Sequence, residues 1–156
     1  MKAKYIIGIF LILLMATTAC VYAADATVGD YKFTIPDGFE LSDPVTNGVT
    51  LKNSDGAVIS FNIETDAAIT ADTAAIVIQG LEDQGYTVTK NETFKYNDTE
   101  ILEIDYEVEG GQFYLYTWQV KDGECAVAAY GLPSGGDAIK WEDSPVKSIF
   151  DTITKA

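Results

Sequence analysis

The sequence predicts an α+β domain: an antiparallel sheet of about six to seven strands with one helix packed on each face. Three observations predict it. Leu102, Ile104, Tyr106 and Val108 alternate with Glu103, Asp105, Glu107 and Glu109, the period of a strand with unlike faces. Gly110-Gly111 and Asp122-Gly123 are two-residue turn signals that fold this run into a meander with the segments that follow. Two further segments, 70–84 and 144–153, change to helical spacing.

The elements follow in order. Residues 1–24 have the parts of an export signal: basic Lys2 and Lys4, an uncharged apolar run from Tyr5 to Met15, then small residues. Three outcomes are open for it: cleavage after Ala23 or Ala24, lipidation of Cys20, or retention as an uncleaved anchor. Residues 25–156 then form one domain, outside the cytoplasm. Tyr31, Phe33 and Ile35 alternate with Lys32 and Thr34 as a first strand, which Pro36-Asp37-Gly38 ends. Val49–Lys52 and Val58–Glu64 pair across Asn53-Ser54-Asp55-Gly56.

A helix spans 70–84, with Thr70 as N-cap, an apolar face of Ala74, Val77, Ile78 and Leu81, and Gly85 as the C′ residue. Gly80 costs it about 1 kcal/mol against Ala, which suggests a close backbone contact there. Tyr86–Tyr96 reads as a strand bulged around Glu92, and the meander continues through Gln112–Lys121 and Glu124–Tyr130. A last helix starts at Ser144 and Pro145 and carries Val146, Ile149, Phe150 and Ile153 as its stripe.

The two tight turns predict a register. Loops at Gly110-Gly111 and Asp122-Gly123 would pair Glu107 with Tyr114, Asp105 with Tyr116, Glu103 with Trp118, and Trp118 with Val127. One face would then carry Tyr116, Trp118, Val120, Cys125, Val127 and Ala129. The other would carry Leu102, Ile104, Tyr106, Phe113, Leu115 and Tyr130. Both faces are apolar, so each needs a helix over it.

Composition excludes much chemistry. The chain has 24 acids and ten lysines, with no Arg and no His, and a formal net charge of −14. Loss of Lys2 and Lys4 with the signal takes this to −16. Such a surface repels phosphate backbones, so no nucleic acid is expected as a partner. Without His there is no imidazole base and no Ser-His or Cys-His pair. Phosphate-loop, dinucleotide and zinc spacings are absent, and neither a cofactor nor a metal is expected. A carboxylate pair is the one catalytic option, and no catalytic residue is assigned. Cys125, alone after cleavage, lies in an apolar run and reads as a buried small hydrophobe.

The candidate binding residues are the acid row Glu103, Asp105, Glu107 and Glu109, with Tyr114 across the hairpin. Spaced about 7 Å apart on one face, the carboxylates could meet a cationic ligand, calcium or a partner protein. The plainer reading puts the aromatics under a helix and the carboxylates at its margin, paired with a Lys such as Lys90. Asn91 and Asn97 open two N-glycosylation sequons.

Four stretches carry a family resemblance. They are Tyr31–Phe39 (with Ile35-Pro36-Asp37-Gly38-Phe39), the helix at 70–84, Tyr96–Tyr106, and Ile149-Phe150-Asp151-Thr152-Ile153. In this order they resemble the PsbP-like fold family, which groups PsbP, Mog1 and DcrB, over residues 29–153. The resemblance implies an α-β-α sandwich and a non-catalytic role in binding another protein or an assembly. The partner expected for an exported chain is another envelope or membrane protein, met close to the membrane. Metal sites of photosynthetic members lean partly on His, which this chain lacks. A small-ligand or calcium-binding protein is the alternative, and a carboxylate-dependent hydrolase comes after it.

Overall fold

A computed structural model describes residues 24–42, 48–133 and 136–156. Cys20 and the expected signal, Ala24 apart, lie outside the described residues. The strands are β1 (Asp25–Val28), β2 (Tyr31–Thr34), β3 (Phe39–Leu41), β4 (Gly48–Asn53), β5 (Val58–Thr65), β6 (Thr87–Tyr96), β7 (Thr99–Val108), β8 (Gly111–Lys121), β9 (Glu124–Leu132) and β10 (Thr154–Lys155). Helix α1 spans Ala71–Asp83 and α2 spans Pro145–Thr152, after a 3-10 turn at Trp141–Asp143. Strands β3-β4-β5-β9-β8-β7-β6 make a seven-stranded antiparallel sheet, while β1-β2-β10 make a small second one.

The helices cover opposite faces, as their stripes require. On one side α2 buries Val146 and Ile149, both at 0% exposure, among Ile101, Tyr116, Trp118, Ala126 and Ala128. Each such side chain contributes about 1.5–3 kcal/mol by leaving water. The small sheet shares this side, where Phe33 meets Phe61 edge-on at 4.8 Å. On the other side Ala74, Ile78 and Leu81 of α1 pack with Val88, Leu102, Ile104 and Leu115. Thr70 caps α1: its hydroxyl accepts from the Thr73 amide, and the Thr73 hydroxyl accepts from the Thr70 amide. Gly85, at φ +83°, turns the chain out of the helix.

Several expectations need correction. The turn between β7 and β8 is Glu109-Gly110, with φ of +47° and +82°, so Val108 pairs with Gly111 and Asp105 with Tyr114. Gly111 is used otherwise: a Cβ there would lie 3.4 Å from the Phe113 ring. This shift moves each partner by two residues and leaves the faces intact. The next hairpin differs more. Lys121 pairs with Glu124 as expected, but a bulge at Val120 brings Gln119 opposite Cys125 and Trp118 opposite Ala126. One extra residue turns β9 over. Ala126, Ala128 and Tyr130 therefore face α2, while Cys125, Val127 and Ala129 face the other side.

The bulge in β6 lies between Val88 and Lys90 rather than at Glu92. Val77 is 37% exposed at the rim of α1 instead of inside its face. Gly80 makes no close contact, since a Cβ built there meets nothing within 4 Å. The N-terminal strand β1, the short β3 and β10, and the turn at Trp141 are additional to the sequence reading.

Candidate functional site

Strand β7 is interior, between β6 and β8, so each of its side chains has a neighbour on both flanks. Period 2 places Ile101, Glu103, Asp105 and Glu107 on the α2 side, as the acid row requires. Glu103 stands opposite Tyr116 and Glu92, Asp105 opposite Tyr114 and Lys90, and Glu107 opposite Gln112 and Thr87. Glu109 is not in the row, because β7 ends at Val108 and Glu109 is a turn residue.

The row is graded in burial. Glu103 is only 3% exposed, while Glu107 and Glu109 stand in solvent. A buried carboxylate needs a charge partner. Lys90 supplies it, with Nζ 2.9 Å from Glu103 Oε2 and 2.7 Å from Glu92 Oε1. Burial works against the Lys90 charge, but hydrogen bonds to Glu92 and Glu103 outweigh it and raise its pKa. Asp105 has no such partner. Burial foremost, and then the Glu103 charge, push its carboxyl up to about 7, against the opposing pull of Lys90.

Aromatic rings roof the cluster. Tyr114 and Tyr116 are 1% and 0% exposed. The Tyr114 hydroxyl accepts from the Ile139 amide at 3.0 Å. Trp141 stands edge-on to Tyr116 at 5.0 Å and also meets Phe94 and Tyr96, at 5.6 and 5.7 Å. Three polar atoms here are buried without a hydrogen-bond partner: Asp105 Oδ1, Tyr116 Oη and Trp141 Nε1. Burial raises the pKa of both tyrosines, so both hydroxyls keep their protons.

Among the candidates, then, the fold brings Glu103, Asp105 and Tyr114 together and leaves Glu107 and Glu109 apart. Lys90 was legible as a pairing partner. Trp141 was missed; its one signal was a Trp directly ahead of the Ser144-Pro145 helix start. Asn91 and Asn97 are both exposed, Asn97 in the tight turn between β6 and β7 at φ +47°. Cys125 is buried, and burial raises its thiol pKa, as an unreactive Cys requires.

Open grooves lie elsewhere. One of about 370 Å³ is lined by Tyr31, Trp118, Phe150 and Lys155. A neighbour of about 580 Å³ shares Thr99, Gln119, Val120 and Lys121 with it. Others lie beside Asp30 and Glu64, and beside Thr70 and Leu102. None of these four is lined by Glu103, Asp105 or Tyr114. Among the described residues no three acidic or Cys side chains converge as a metal site would need.

No family model matches the chain, and no curated protein matches it in sequence. Solved structures do. The chain is similar to cyanobacterial PsbP (CyanoP) from Synechocystis, with a TM-score of 0.55 at 12% identity over 90% of this chain and 99% of that one. It is also similar to a protein from Bacteroides thetaiotaomicron, with a TM-score of 0.52 at 12% identity over 86% of this chain. There it spans about half of the other chain, 49%. The strand order, the two helices on opposite faces and these superpositions together give the chain a PsbP-like fold.

Proposed function

We propose that this chain is a non-catalytic binding or accessory domain that works outside the cytoplasm, docked to another envelope protein. The closure of the acid row carries this reading. Glu103 is paired with Lys90, Asp105 lies next to it beside Tyr114, and the four grooves reach neither carboxyl. A catalytic pair needs access to a substrate. The carboxylates that stay in solvent, Glu107 and Glu109 among them, favour a neutral or cationic protein surface as partner.

Affinity capture from the native envelope after mild crosslinking tests the proposal. A stoichiometric protein partner is expected. A tight small ligand with no protein partner would replace this reading with a ligand-binding one. Hydrolysis that disappears with one Asp or Glu substitution would replace it with an enzyme.

A further inference from the structure

We propose that residues 136–143 form a proton-gated strap, held closed over the Glu103–Asp105 pair while that pair carries a shared proton. The geometry is specific. Two contacts set the strap beside the carboxyls: the Ile139 amide on the Tyr114 hydroxyl, and Trp141 against Tyr116, with Phe94 and Tyr96 of β6 holding the same Trp ring. Tyr114 is the cross-strand partner of Asp105, and Tyr116 is the cross-strand partner of Glu103. Each strap anchor thus sits beside one of the two carboxyls.

The same interface holds the three unpartnered atoms, Asp105 Oδ1 and Tyr116 Oη on the sheet and Trp141 Nε1 on the strap. Buried polar atoms without partners destabilise the state that buries them. Lifting the strap gives all three to water at the cost of the Trp141 packing, and the margin of the closed state lies between the two.

The proton decides that margin. Facing Asp105 are Glu103 on its own strand, Lys90 and Glu92 from β6, and the hydroxyls of Tyr114 and Tyr116 from β8. The strap itself brings Asp137, Lys140, Glu142 and Asp143, and the first and the last two of these are acidic. With Asp105 protonated, its carboxyl donates to Glu103, and Lys90 answers Glu103 and Glu92. With Asp105 ionised, a further negative charge lies under the roof with no cation of its own. The closed state binds the proton more tightly than a hydrated Asp105 does. Closure is therefore most favoured below the ordinary carboxylate range near 3.8, weakens as pH rises, and levels off above about 7.

The test follows hydrogen exchange at residues 139–143, as protection factors, on the protein as the cell exports it. Between about pH 5 and about pH 8 protection should fall by up to roughly a hundredfold, while strands β8 and β9 keep theirs. Asp105→Asn should hold the low-pH protection at both values. Tyr114→Phe removes the acceptor of the Ile139 amide and should lower protection even at about pH 5. The carboxyl 13C titration of Asp105 in the unaltered protein gives an independent reading: its midpoint should match that of the strap. Protection that is flat with pH, or that falls equally in Asp105→Asn, overturns the proposal. So does a carboxyl that titrates in the ordinary range.

Discussion

Glu103 shows how one residue's environment is set by its neighbours in space. Alternation in the sequence marks it as polar between two apolar positions, the usual sign of a solvent-facing side chain. It is nevertheless almost fully buried, and Lys90 reaches it from β6 to pair with it. We expect Lys90→Ala to lower stability by about 2 kcal/mol, measured by denaturant unfolding. That is below the full cost of breaking a buried pair, because Lys90 is itself 38% exposed. An unchanged midpoint would mean that water reaches Glu103 freely. That Lys90 pairs with an acid of the row was legible; which acid would be buried was not. It depends on which residues other strands bring beside it, Tyr116 of β8 and Glu92 of β6.

At the scale of elements, the two helices and the meander follow from periodicity and caps, while register does not. Glycines separate the two cases. Gly80 lies on the exposed side of α1 with open space around it, so Gly80→Ala should raise stability by up to about 1 kcal/mol. Gly131 is the opposite case. A Cβ there would lie 2.5 Å from the Phe113 ring, which is stacked on Tyr106 at 5.3 Å and through it on Tyr86. Gly131→Ala should cost about 1–3 kcal/mol, as overpacking does. Thermal unfolding of both variants measures the contrast, and equal shifts would contradict the packing described. At Gly111 a Cβ would only touch the Phe113 ring, at 3.4 Å. The Val120 bulge left no mark in the sequence: Gln119-Val120-Lys121 has no glycine to announce it. It turned β9 over nonetheless.

For the whole molecule, the three outcomes expected at the N-terminus differ in mass. Mass spectrometry of the mature N-terminus should find Ala24 or Asp25 first if the signal is cleaved, or a diacylated Cys20 if it is lipidated. An intact Met1 would mean an uncleaved anchor. By itself the sequence determined the α+β class, both helices with their caps, and, having no His, the exclusion of imidazole chemistry, because period, capping and composition are local or additive properties. Only the tertiary structure decided which face β9 presents, which acid is buried, and that Ile139 and Trp141 meet Tyr114 and Tyr116. Those features depend on contacts between residues far apart in the chain. A single bulge, or one ring laid across a strand, reverses what local alternation implies.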